Sequence, residues 1–250
     1  TASPKGYLTE SRSKHTSVSS MNHAYVAFGG PYPYTTNISR IDYADDTATA
    51  LHKGTLDSSN SNNNIDGTGV GTKDYGYFCG GLPSSKVQRI DYTNDTGTAS
   101  PKGPLSSARR YLSAVGNRSY GYVTGGTPPS SSRVDRIDYG NDTATAAVKG
   151  SLPYNLENMG ATGNADYGYV TGGFNTAPGN NNWLTTIQRI DYSNDTPTTS
   201  PKGNLTSPRT TRSTGNTSYG WSGGGTTDSP QHAGTSTVDR IDFSNDTATA

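Results

Sequence analysis

VDRIDYGNDTATAAVKG, Val134–Gly150, returns four more times with small changes. The copies are ISRIDYADDTATALHKG (38–54), VQRIDYTNDTGTASPKG (87–103), IQRIDYSNDTPTTSPKG (187–203) and VDRIDFSNDTATA (238–250). Within VDRIDY a period of two places Ile137 and Tyr139 on one strand face, with Arg136 and Asp138 on the other. Asn141-Asp142 marks a turn, because both side chains bond nearby backbone groups. The TATA that follows has β-prone alternation and is expected to form a short strand.

The Arg-Ile-Asp triplets start at Arg40, Arg89, Arg136, Arg189 and Arg240, with spacings of 49, 47, 53 and 51 residues. A second landmark precedes each of them: AYVAFGG from Ala24, YGYFCGG from Tyr75, YGYVTGG from Tyr120 and Tyr167, and YGWSGGG from Tyr219. The glycine pair ends that strand, since it offers no side chain to pack. Lys-Gly recurs at Lys5, Lys53, Lys102, Lys149 and Lys202. No window has a helical period. A repeat of ~50 residues with four short segments points to propeller blades rather than a helical solenoid.

The expected fold is therefore all-β: a five-bladed β-propeller in one domain, 1–250, with four short antiparallel strands per blade. The repeats run approximately 1–48, 49–97, 98–144, 145–197 and 198–250. TASPKG at the start matches TASPKG from Thr98, and NDTATA at the end matches the segment before it, so five blades are expected to close without open edges. The start at Thr1 suggests a processed protein or a segment of a longer one.

Only 29% of the residues are hydrophobic, yet net charge is zero and 17 tyrosines supply apolar area. Low hydrophobicity without net charge is not the signature of disorder. Neutrality argues against nucleic acid or an anionic membrane as partner. No apolar run reaches the length of a membrane span, so membrane insertion is not expected. The lone Cys79 excludes an intrachain disulfide framework and reads as a small buried residue.

Glycine pair, loop, strand with aspartate, turn and short strand resemble the kelch repeat across all five copies. The family's outer-strand tryptophan is replaced here by Ala, Thr or Ser. The RIDYxNDTATAxxKGxL wording with YGYxxGG is similar to repeats in virion proteins of phages that infect marine cyanobacteria. That resemblance implies an extracellular, particle-borne role, with other virion or self subunits as partners.

The triplet aspartates Asp42, Asp91, Asp138, Asp191 and Asp242 could form a ring of cation-binding carboxylates. A structural role alongside Arg40, Arg89, Arg136, Arg189 and Arg240 is the simpler reading, each aspartate pairing with the arginine of its own strand. The NDT segments match the N-glycosylation acceptor, but Asp45 replaces Asn in the first repeat, which favours a turn. Gly220–Gly224 matches a nucleophile elbow in letters only, because it aligns with a repeated strand and no helix follows. His15, His23, His52 and His232 have no ligand spacing, and no metal or other cofactor is expected.

Residues common to all copies hold a scaffold, whereas binding belongs where copies differ. The segments between glycine pair and triplet diverge: PYPYTTNIS, LPSSKVQ, TPPSSSRVD, FNTAPGNNNWLTTIQ and TTDSPQHAGTSTVD. Tyr32, Tyr34, Phe174 and Trp183 offer flat apolar faces. Asn180, Asn181, Asn182 and His232 offer hydrogen-bonding groups. Aromatic faces beside amides suit neutral sugars, so the expected role is non-enzymatic binding of a cell-surface glycan. A purely structural virion spacer is the alternative, with a secreted kelch-type carbohydrate-active enzyme behind it. The polar stretch from Leu56 to Gly71 is expected to be a loop.

Overall fold

Every Arg-Ile-Asp triplet ends the third strand of a small antiparallel sheet. The computed structural model describes residues 3–30, 34–57, 65–227 and 233–250. The first sheet contains β1 (Thr16–Ser19), β2 (His23–Ala27), β3 (Asn37–Asp42) and β4 (Leu51–Thr55), in that order. The second contains β5 (Thr68–Gly71), β6 (Tyr75–Cys79), β7 (Val87–Asp91) and β8 (Ser100–Pro101). The third contains β9 (Ser113–Gly116), β10 (Tyr120–Thr124), β11 (Arg133–Asp138) and β12 (Ala147–Ser151).

In the fourth repeat, β13 (Leu156–Glu157) precedes β14 (Gly160–Gly163) and β15 (Tyr167–Thr171), and β16 (Phe174–Asn175) and β17 (Asn182–Trp183) precede β18 (Thr186–Asp191) and β19 (Ser200–Asn204). Strands β14, β15, β18 and β19 form the repeat's own sheet, while β13, β16 and β17 form a separate three-stranded one. The fifth repeat has β20 (Arg212–Gly215), β21 (Tyr219–Gly223) and β22 (Val238–Asp242), a three-stranded sheet with β22 at one edge. The described residues are thus all-β, in six small antiparallel sheets of three or four strands.

By contact, the chain divides into two compact units. One is Thr1–Arg110 with Gly140–Thr145, and the other is Tyr111–Tyr139 with Ala146–Ala250. The first unit is built on Tyr25, Phe28, Ile38, Leu56 and Phe78. The second has one cluster around Tyr122, Val134, Leu152, Leu156 and Val170 and another around Tyr169, Ile187, Leu205 and Ile241. Each Phe, Ile, Leu or Val among them contributes about 1.5–3 kcal/mol when buried.

Buried tyrosine and arginine make up for the low aliphatic content. Tyr25, Tyr77, Tyr122 and Tyr169 are completely covered, as are Arg109 and Arg209. Arg209 donates to the carbonyls of Gly224 and Ser207 and pairs with Asp239 at 2.7 Å, so its charge is compensated.

Two expectations about the strands need correction. The TATA run is not a strand. Its first half closes the turn, with the Ala144 N–H donating to the Asn141 carbonyl, and Ala146 beyond it is buried. The fourth strand lies one step later, over Ala147–Ser151. Likewise, the polar stretch from Leu56 is not all loop: Ile65 is buried and Thr68–Gly71 pairs with β6. Residues 58–64 lie outside the described residues. Both corrections have one cause: alternation and polarity report on side chains, whereas these segments are decided by where their backbone groups bond.

Candidate functional site

The repeated peptide is a joint between successive repeats. In each of the first four repeats the second-strand tyrosine stands directly opposite the triplet arginine: Tyr25 with Arg40, Tyr77 with Arg89, Tyr122 with Arg136 and Tyr169 with Arg189. On the fourth strand Ser100 faces Arg89, and Lys102 stands two residues further on, on the same face. Tyrosine and arginine from two adjacent strands, with a lysine on the fourth strand or, for Lys102, just past it, therefore aim at one point.

That point is the aspartate of the next repeat's turn. Asp142 accepts from Tyr77 Oη at 2.8 Å and Arg89 Nη1 at 2.7 Å, with Lys102 Nζ at 3.2 Å. Asp95 receives Tyr25, Arg40 and Lys53 in the same way, Asp195 receives Tyr122, Arg136 and Lys149, and Asp246 receives Tyr169, Arg189 and Lys202. The aspartate's backbone carbonyl is used as well. Gly54, Gly103, Gly150 and Gly203 each donate their N–H to it, at 2.6–2.8 Å.

The glycine of Lys-Gly is required by this approach. A Cβ on Gly103 would lie inside the carbonyl group of Ala144, and one on Gly150 inside that of Pro197. Aromatic stacking completes the joint: Tyr25 on Tyr92 at 4.9 Å, Tyr122 on Tyr192 at 5.0 Å and Tyr169 on Phe243 at 4.8 Å, all near parallel. Arg89, Arg136 and Arg189 each also lie 4.2 Å over a tyrosine ring of their own repeat.

The expected pairing of each triplet aspartate with its own arginine is thus corrected. In the first four repeats the arginine reaches the neighbouring turn, while Asp42, Asp91, Asp191 and Asp242 bond within their own turns. Asp91 accepts from the Thr93 N–H and Oγ1, Asp191 from Ser193 and Asp242 from Ser244, which holds these carboxyls below the usual range. Asp42 accepts from the Ala44 N–H. Turn asparagines also bond within the turn, as where Thr143 Oγ1 donates to Asn141 Oδ1. A residue that pattern alone could pair with either acid is allotted by three-dimensional reach.

Burial sets the ionisation of the joint. It pushes the Tyr25 phenol up to about 12, reinforced by its hydrogen bond to Asp95. Tyr77, Tyr122 and Tyr169 rise further, first through burial and then through their aspartate partners. For Asp142 burial works against the charge, but the bonds from Tyr77 and Lys102 and the charge of Arg89 outweigh it and lower its pKa. The four joint phenols therefore stay protonated well above neutral pH.

The variable loops are placed unevenly. Tyr32 and His232 lie outside the described residues, and Tyr34 is half-buried. The fourth-repeat loop is folded. Register sets Glu157 beside Phe174 and Phe174 beside Trp183 on one face of the β13–β16–β17 sheet, with Leu156, Asn175 and Asn182 in the adjacent row. The Phe174 and Trp183 rings lie 4.6 Å apart, tilted by 56°. Asn180, Asn181 and Asn182 are exposed along the connection, where the Asn180 N–H closes a turn onto the Ala177 carbonyl. Leu156 and Asn175 are buried and anchor the platform.

The structure therefore brings Phe174 and Trp183 together at the exposed asparagine run. It adds Glu157, which stands in LPYNLENMG before the fourth repeat's tyrosine strand and carries no sequence signal. Ser222 lies inside β21 with its hydroxyl bonded to those of Ser213 and Thr171. Cys79 is buried. Among the described residues no three His, Cys, Asp or Glu are grouped to hold a metal ion, and no helix is long and apolar enough to cross a membrane. No protein-family profile and no curated protein matches the chain.

Proposed function

We propose that the chain is a non-enzymatic module of five kelch-like propeller blades, carried on a phage virion or tail, which binds host-surface glycan through the variable loop of its fourth repeat. The observation that carries the reading is the small β13–β16–β17 sheet, which packs Phe174 against Trp183 on one face beside three exposed asparagines. A ring pair fixed on strands costs little conformational freedom when a sugar face stacks on it, and amides complete its hydroxyl contacts. Neutral polyols ask for no net charge, in keeping with the balanced composition. The test is binding of the purified chain to marine bacterial cells and their polysaccharides, beside Trp183→Ala and Asn181→Ala. Binding that both variants weaken at least ~10-fold, or about 1.4 kcal/mol, supports the reading. Binding unchanged in both, or no binding by the parent chain, overturns it.

A purely structural role draws on a different observation: the recurring tyrosine, arginine and lysine of the first four repeats are spent on joints between repeats. Under that reading the folded chain ignores glycans and associates only with its own particle.

A further inference from the structure

The residue before each triplet arginine is buried and polar, and in the joints at Asp95 and Asp246 a donor from the preceding repeat meets it. Gln88 Oε1 accepts from the Asp57 N–H at 2.6 Å. Asp239 accepts from the Thr206 N–H at 3.1 Å and from the Thr206 hydroxyl at 2.8 Å. Asp57 and Thr206 hold the same place in the repeat, the third residue after the glycine of Lys-Gly: Gly54-Thr55-Leu56-Asp57 and Gly203-Asn204-Leu205-Thr206.

In the joint at Asp195 that donor does not exist. The counterpart segment is Gly150-Ser151-Leu152-Pro153, and proline carries no N–H. Gln188, 1% exposed, therefore keeps its side-chain carbonyl oxygen without a hydrogen-bond partner among the described residues. A second orphan stands near it. Thr199 occupies the position that is Ala50, Ala99, Ala146 and Ala250 in the other copies, and its covered hydroxyl has no partner among the described residues either. Gln188 is opposite Pro201, which puts Thr199 at the diagonal position on the same face of the β18–β19 pair. The same joint contains a cavity of about 120 Å³. Val134 and Gly150 of the third repeat line it, with Ile190, Asp195, Pro197 and Thr199 of the fourth.

Three features that weaken a packed interface thus fall on one joint. A covered acceptor and a covered hydroxyl that lost water on folding and gained no bond favour the opened state, where water reaches both. A cavity forfeits the contacts its walls would otherwise make. Tyr122, Arg136 and Lys149 on Asp195 hold the joint closed at rest.

We propose that the joint at Asp195 is the opening point of the chain, a seam that parts by local unfolding before the joint at Asp95 does. Opening admits water to Gln188 and Thr199 and bares Val134, Leu152 and Ile190 of the core cluster. Leu156 stays bonded to both sides. Its N–H donates to the Ser131 carbonyl, its own carbonyl accepts from the Gly126 N–H, and β13 pairs with β16. The pivot is therefore β13, about which the fourth repeat moves against the third. The inference does not rest on glycan binding.

The test is hydrogen exchange of the full chain, read residue by residue by NMR. The Gly54 and Gly150 N–H groups donate to the Asp95 and Asp195 carbonyls at 2.6 and 2.8 Å, so each reports on its own joint. Both glycines follow a lysine, which matches their intrinsic rates. Gly150 should exchange at least ~10-fold faster than Gly54, an opening easier by about 1.4 kcal/mol. Thr199→Val keeps the volume and removes the orphan hydroxyl, and Pro153→Thr returns the donor found at Thr206. At least one of these variants should slow Gly150 by ~5-fold or more while Gly54 keeps its rate. A parent chain in which Gly150 exchanges no faster than Gly54 overturns the proposal. So does a Gly150 that neither variant slows selectively, the result expected if water already satisfies the two groups.

Discussion

Tyr77 of the second repeat donates to Asp142 of the third across 2.8 Å, and the same carboxylate oxygen takes Arg89 at 2.7 Å. Donor and acceptor thus belong to different repeats. Removing the acceptor should be worse than removing one donor, because it leaves a guanidinium, an ammonium and a phenol facing a partly buried void. Asp142→Ala is expected to cost about 3–5 kcal/mol in urea unfolding, and Tyr77→Phe about 1.5–3 kcal/mol. If Asp142→Ala costs no more than a surface pair, the joint does not hold the repeats together.

Two glycines of neighbouring repeats should respond in opposite ways. Gly103→Ala forces a methyl into the Ala144 carbonyl and is expected to destabilise by about 1–3 kcal/mol or more. At Gly97 a Cβ would meet nothing within 4 Å, and the backbone φ lies outside the left-handed region. Gly97→Ala should be neutral or stabilising, by up to about 1 kcal/mol, through the unfolded chain. Thermal denaturation of the pair decides the matter.

The joint also sets the pH limits of the fold. Asp142 has a folded-state pKa below its ordinary 3.8, so its contribution is present above that value and lost as pH falls through the folded one. Tyr25 has a folded-state pKa raised from 10.0 to about 12, so its contribution is present below 10 and lost as pH climbs through that window. Stability measured against pH should therefore fall off at both extremes and stay level between them. Phenolate absorbance in the near ultraviolet should show late-ionising tyrosines that titrate normally in denaturant.

Cys79 should be silent in the native state. It is buried on β6, and a thiol reaches a reagent only as an exposed thiolate. Labelling with an aromatic disulfide is expected to wait for unfolding. Rapid labelling of the folded chain would contradict its placement.

Exposed loop amides should separate binding from stability. Asn180→Ala and Asn181→Ala are expected to leave unfolding within about 0.5 kcal/mol of the parent, since both side chains are exposed. Phe174→Ala, which strips one ring from a packed pair, should cost more. Chemical denaturation of the three variants checks the order.

Much of this was legible in the peptide itself. The tyrosine strand, the glycine pair and the triplet strand follow from alternation and from two residues without side chains; Gly125 and Gly126 turn the chain with φ of 63° and 95°. What alternation could not reveal was partnership. Arg136 and Asp138 share a face on paper, yet Arg136 reaches Asp195, 59 residues away, because a register of three strands aims it there. The fourth strand was misplaced for a related reason: TATA has the right period, but its first N–H groups are spent on the turn. At the candidate site Trp183 and Phe174 stood out by chemistry alone. Glu157 did not, since only strand pairing brings it alongside them.

The joints also separate two kinds of change in this chain. Glycine pair and triplet are joined by a short run beginning Leu82–Lys86 in the second repeat and by a folded sheet in the fourth, while the arginine-to-aspartate distances of the four joints stay within 2.7–2.9 Å. Inserted segments are thus mechanically insulated from the frame that carries them. Such a chain can trade one loop for another, in evolution or at the bench, and alter what it touches without having to relearn how to fold.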